Sequence, residues 1–155
     1  MATVTRFEDL IIWQHARSFA RKIYELTAGK SFNNDFELIR QIRKSSGSVM
    51  DNIAEGFDRE GNNEFRQFLS VAKASLSESK SQVYRSYDRN YVTKEIFSNL
   101  IKEIESLSVK IFNTMEYLKH SDFRGYKFKE MLKESYAPYS TNDSTSNHFQ
   151  PFQTI

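Results

Sequence analysis

Cysteine is absent from the 155-residue chain. That absence excludes disulfides, thiolate zinc sites, iron–sulfur clusters and a cysteine nucleophile together. It fits a reducing, cytoplasmic setting. Proline is nearly absent too, and Pro138 and Pro151 both lie near the C-terminal end. A long body without proline permits uninterrupted helices. Glycine is scarce, at five residues, and neither phosphate-cradling pattern, GxxxxGK[ST] or GxGxxG, occurs. No apolar run approaches the roughly 18 residues that span a membrane. The opening MATVTRFEDL has no long apolar stretch, so no secretion signal is expected. An excess of one charge is also missing. The 22 basic and 20 acidic residues leave a formal +2, so only a local patch can argue for nucleic acid. The length suits a single domain with a proper core.

What is present is helical periodicity. A first helix is expected from about Arg6 or Asp9 to Thr27, with Ile12, Trp13, Ala16, Phe19, Ala20, Ile23 and Leu26 as its apolar stripe. Thr5 and Glu8 have the spacing of a capping box, and Gly29 suits a left-handed C-terminal residue. A second helix begins near Asn34 or Asp35, with Phe36, Ile39, Ile42, Ser46, Val49, Met50, Ile53 and Phe57 facing inward. A third begins near Asn62–Glu64, lined by Phe65, Phe68, Leu69, Ala72, Leu76, Val83, Tyr84 and Tyr87, and ends at Asn90. A fourth has Thr93 as its N-cap and runs to His120 through Ile96, Leu100, Ile104, Leu107, Ile111, Met115 and Leu118. Short connections between such helices predict an all-α, antiparallel up-down-up-down four-helix bundle over residues 1–122. Residues 123–155 read as a C-terminal extension: a short helix over Tyr126–Tyr136, then a flexible tail from Ser140.

Catalytic patterns are weak. His15, His120 and His148 stand in no HExxH or ExxH arrangement, so no metal site is expected. Ser70–Lys73 and Ser77–Lys80 match SxxK, but the accompanying SDN and KTG elements are missing. Asp51 and Glu55 share a helical face without the second pair and cleft that hydrolysis would need. Neither a catalytic residue nor a cofactor is assigned, and the chain is read as not an enzyme. Basic residues are more suggestive. Arg17, Arg21 and Lys22 cluster on the first helix and Arg40, Arg43 and Lys44 on the second, and Arg85 and Arg89 close the third. Phosphate backbones reward such clusters through counterion release. Tyr24, Tyr84, Tyr87 and Tyr91 have rings on which bases can stack.

Phe7–Ala16, FEDLIIWQHA, resembles the F-x-D-L-x-x-W-Q-x-A opening of the four-helix-bundle family encoded in intervening sequences of bacterial 23S rRNA genes. Gln41–Phe57, QIRKSSGSVMDNIAEGF, is similar to that family's second signature. EFRQFLSVA from Glu64 and SLSE from Ser75 resemble its third. Trp13, Gln14, Ser48, Asn52, Glu55, Gly56, Ser75 and Glu78 carry the match. Met50, Ala74 and Gly61 replace proline, glycine and serine of the family pattern, and Met50 should leave the helix continuous. The resemblance implies a bundle similar to ring-shaped homopentamers, with no catalytic activity. It also points to a related accessory protein of diversity-generating retroelements, which binds reverse transcriptase and nucleic acid through a basic surface.

One stretch, SGSVMDNIAEGFDRE from Ser46 to Glu60, crowds small and polar residues into a helix. A turn near Arg59–Asn62 would set Ser48 against Ala72, Ser45 against Ser75 and Arg43 near Glu78. The stretch then reads as a close-approach seam, with packing at Gly47 offsetting its cost of about 1 kcal/mol relative to alanine. Asn52 is expected to bond a neighbouring helix, Glu55 to meet Arg59 or Arg66, and Arg43 to pair with Glu78. The function expected is an oligomeric accessory or scaffold that binds RNA, DNA or a ribonucleoprotein enzyme. The alternative is a protein–protein module recruiting its partner through a ring rim or the tail.

Overall fold

The computed structural model of the chain describes residues 4–59 and 61–120. The expected helix at Tyr126–Tyr136, the tail from Ser140 and the boundary at 122/123 lie outside the described residues. Four α-helices follow a 3-10 turn at Phe7–Asp9: α1 (Ile11–Ala28), α2 (Phe36–Phe57), α3 (Asn62–Asp88) and α4 (Lys94–His120). A second 3-10 turn, Lys30–Phe32, joins α1 to α2. Contacts between neighbouring helices run in opposite senses along the two partners. Ser45 and Ser48 of α2 meet Ser79 and Ser75 of α3. Lys73 and Lys80 of α3 meet Phe112 and Glu105 of α4. The result is the all-α antiparallel bundle that the periodicity predicts.

The core follows the stripes. Ile12, Ala16, Phe19 and Ile23 of α1 pack with Ile42, Val49 and Ile53 of α2, Leu69, Ala72 and Leu76 of α3, and Ile104, Leu107 and Ile111 of α4. Three residues expected inside are outside: Phe36, Tyr84 and Ile96. Phe36 lies two positions before buried Leu38, which places it about 200° away round the helix. Met50 leaves α2 uninterrupted, as expected.

The helix ends differ from expectation in instructive ways. The capping box at Thr5 and Glu8 does not form, and no side chain caps α1. Signature residue Gln14 instead donates from Nε2 to the Glu8 carbonyl at 2.9 Å, tying the 3-10 turn to α1. Trp13 packs edge-on against Phe7 at 5.1 Å, which holds the same turn. Gly29 is extended, with φ −74° and ψ 166°. The left-handed residues are Asn33 (φ 48°) and Asn34 (φ 61°), and these asparagines turn the chain. Asp35 then caps α2 by accepting from the Leu38 N–H at 3.2 Å. The same carboxylate accepts from Arg89 and, at 3.1 Å, from the Tyr91 hydroxyl, so it ties the start of α2 to the end of α3. The bond from Leu38, followed by those from Tyr91 and Arg89, holds Asp35 below its ordinary carboxylate range. Thr93 caps α4 through the Ile96 N–H at 3.2 Å, and Asn90, left-handed at φ 58°, closes α3.

The α2–α3 register differs from expectation by about one turn. Ser48 faces Ser75, with oxygens 3.0 Å apart, and Ser45 faces Ser79 at 2.8 Å. The cause is Gly56. A Cβ there would stand 2.5 Å from Phe68 Cβ and 2.9 Å from Phe65 Cδ2. The first two turns of α3 close these phenylalanines over the end of α2. Gly47 was expected to be the close-approach glycine, but a Cβ there meets nothing within 4 Å. The seam is polar inside as well as small. Ser45 Oγ donates to buried Gln82 Oε1 at 2.5 Å, and Gln82 Nε2 donates to Glu78 at 3.1 Å. Paired in this way, the buried groups avoid the desolvation penalty of unmade bonds.

Candidate nucleic-acid interface

The candidate basic residues do not form one patch. On α1, Arg17 lies over the Trp13 ring at 5.7 Å. Arg21 approaches Glu25 at 3.8 Å, an exposed pair one turn apart. Lys22 turns the other way and bonds Glu103 of α4 at 2.8 Å. That ion pair lines an α1–α4 groove of about 300 Å³ with His15, Ser18 and Ser106. His15 is half-buried there, and burial pushes its pKa below the ordinary 6.5.

On α2, Arg43 reaches across to α1. Its Nε donates to Thr27 Oγ1 at 2.7 Å, and its guanidinium covers the Tyr24 ring at 4.4 Å. The expected Arg43–Glu78 ion pair is thus replaced by contacts with α1. Arg40 and Lys44 are exposed, one turn apart on the outer side of α2. Neither joins an ion pair or hydrogen bond among the described residues, so their charges face solvent. Of the four tyrosines considered for stacking, Tyr24 and Tyr84 are exposed. Tyr87 stacks on Phe97 at 4.5 Å, and Tyr91 packs against Phe32 at 5.1 Å.

The signature residues do come together. Gln41, Lys44, Ser45 and Ser48 of α2 line a polar groove of about 410 Å³ with Glu78, Ser81, Gln82 and Arg85 of α3. Arg85 donates to Gln41 Oε1 at 2.6 Å across it. Ser75 joins through Ser48. Asn52 was expected to reach a neighbouring helix. It bonds within α2 instead, donating to the Ser48 carbonyl at 2.8 Å and to Ser48 Oγ at 3.0 Å, and so braces the hydroxyl that meets Ser75. Glu55 meets Arg59 at 2.7 Å, as expected, in an exposed pair. The polar half of the seam was visible as small residues, but its facing partner on α3, Gln82, was not singled out, and Arg85 was read only as a basic residue at the end of the third helix. The signal for Gln82 was the four-residue step from Glu78 through Gln82 to Ser86 beside the core stripe.

The lysines of the SxxK patterns are engaged on α4: Lys73 over the Phe112 ring at 5.5 Å and Lys80 with Glu105 at 2.9 Å. Among the described residues, no group of His, Cys, Asp or Glu is placed to hold a metal ion, and no helix is long and apolar enough to cross a membrane.

A family model described as 23S rRNA-intervening sequence protein matches residues 8–113. No curated protein matches significantly. The chain is similar to the crystal structure of a protein of unknown function from the S23 ribosomal protein family of Bacteroides thetaiotaomicron. The likeness has a TM-score of 0.61 at 18% identity and covers 68% of this chain and 98% of that one. At that identity the likeness shows the fold, and the family match over most of the bundle shows more: the chain belongs to the family of 23S rRNA-intervening sequence proteins.

Proposed function

We propose that the chain is a non-enzymatic homo-oligomeric bundle that acts as an accessory or scaffold for nucleic acid, or for a reverse-transcriptase-like enzyme working on it, in the cytoplasm. The observation that carries this reading is the pair Arg40 and Lys44. Both cations stand exposed on one side of α2 with no acidic partner among the described residues. A protein that only needed a solvated helix face would gain from pairing them, as it pairs Arg59 with Glu55. Arg17 and Arg21 extend positive charge along α1, while Lys22 is spent on Glu103. Arg43 acts through Tyr24. The homopentameric ring rests on the resemblance to ring-shaped relatives. A ring would present the α2 cations several times over, raising avidity without any new contact.

Light scattering combined with gel shifts tests the reading. The expected result is a pentamer mass and binding of RNA or DNA at low salt that weakens steeply as salt rises. An intact oligomer that binds no nucleic acid at low salt would reject it. A second reading, a purely protein-binding module, is favoured by Val109 and Phe112, exposed about one turn apart on α4. Under that reading, deletion of Ser140–Ile155 or substitution at Val109 abolishes partner capture and nucleic acid never binds.

A further inference from the structure

Two of the most exposed large apolar side chains stand beside these cations: Phe36, 73% exposed, and Tyr24, 59% exposed. Phe36, Arg40, Arg43 and Lys44 follow at i, i+4, i+7 and i+8, so they share one side of α2 over roughly 12 Å. Tyr24 is drawn to this side from α1 by Arg43, whose guanidinium lies over its ring. Arg43 is itself held by Thr27 Oγ1, and the Thr27 hydroxyl is anchored on the Ile23 carbonyl at 2.7 Å. The Tyr24 ring is therefore positioned before anything binds. Phe36 contributes nothing to the core, and solvent surrounds most of it. Of the acids near this side, Glu37 accepts from Gln41 Nε2 at 3.2 Å, Glu25 pairs with Arg21, and Glu78, across the groove that Lys44 borders, accepts from Gln82 Nε2.

We infer that this face is a stacking platform for a single-stranded polynucleotide. Phe36 and Tyr24 take bases, Arg40 and Lys44 take the phosphates beside them, and Arg43 is a positioning residue for Tyr24. The inference rests on the nucleic-acid reading above and adds the class of strand. A duplex hides its base faces in its own stack, so exposed rings give it nothing. A single strand offers those faces, and every base has one, so stacking tolerates any sequence. Neither the rings nor the cations read the 2′-hydroxyl, so RNA and DNA strands bind alike.

The test is fluorescence anisotropy on the full chain with labelled oligo(U), oligo(dT) and a blunt duplex of equal length. Phe36→Ala and Tyr24→Ala are each expected to weaken both single strands about tenfold and to leave the duplex unchanged. Phe36→Trp restores single-strand binding. Phe112→Ala, which removes an exposed ring from α4, changes none of the three. Unchanged single-strand affinity in the alanine variants overturns the inference. So does an equal loss in Phe112→Ala, or a preference of more than about tenfold for one sugar. A wild-type chain that binds none of the three overturns the nucleic-acid reading itself, and the inference with it.

Discussion

Gly47 and Gly56 sit on the same helix in opposite surroundings, and the difference shows which small residue the bundle needs. Around Gly47 a Cβ meets open space. Gly47→Ala should therefore stabilise the chain by about 1 kcal/mol, the helix-propensity difference alone. At Gly56 a Cβ would collide with Phe68 Cβ and the Phe65 ring, atoms fixed near the α3 backbone. Gly56→Ala should cost about 1–3 kcal/mol as the helices are forced apart. Urea unfolding of the two variants checks both signs. A destabilised Gly47→Ala would mean that something covers that face in solution. A neutral Gly56→Ala would mean that the α2–α3 approach is looser than these distances say. In the sequence both residues looked alike, because spacing places a glycine on a helix and says nothing of what stands opposite. Arg43 carries the same lesson. Its charge suggested a phosphate contact or Glu78 as partner, but its place on α2 gives it Thr27 and Tyr24.

Elements were more legible than contacts. All four helices of the described residues, the Asp35 and Thr93 caps and the Asn90 terminus follow from local periodicity and capping chemistry. The α2–α3 register did not follow, because it depends on how Phe65 and Phe68 close over Gly56, and that contact is made between elements. The Gly29 cap failed for a related reason: Asn33 and Asn34, beyond the 3-10 turn at Lys30–Phe32, supply the left-handed turn. Packing between α1 and α4 leads to a pH prediction. His15 faces Lys22 and Glu103, and Lys110 of α4 acts on its charge as well. Burial lowers its pKa in the folded state below the ordinary 6.5. The unfolded chain then binds the proton more readily, so stability rises with pH across that window. Thermal unfolding should show the midpoint falling as pH drops from neutral through 6.5. His15→Gln should flatten that fall. The carboxylates held low, Asp35 and Glu8, act at more acidic pH and leave the histidine window clear. A midpoint that rises on acidification through the window would contradict the burial of His15.

For the whole molecule, the bundle divides its surface into faces of different character. The α2–α3 groove is polar and internally bonded. The α1–α4 groove is lined by the Lys22–Glu103 pair. The α1–α2 side carries cations and rings free of core duties. The exposed cations and rings support placing nucleic acid on the outer side of α2 and the adjoining part of α1; Lys44 stands where that side meets the mouth of the signature groove, whose inner Ser45–Ser79 and Ser48–Ser75 contacts hold α2 and α3 in register. The most direct measurement is the salt dependence of single-strand affinity for wild type and for the Arg40→Ala/Lys44→Ala variant. Loss of two phosphate contacts on a single strand should reduce the magnitude of the slope of log K against log salt by about 1.4 and weaken binding on every sequence alike. An unchanged slope with the fold and oligomer intact would contradict the assignment of this face.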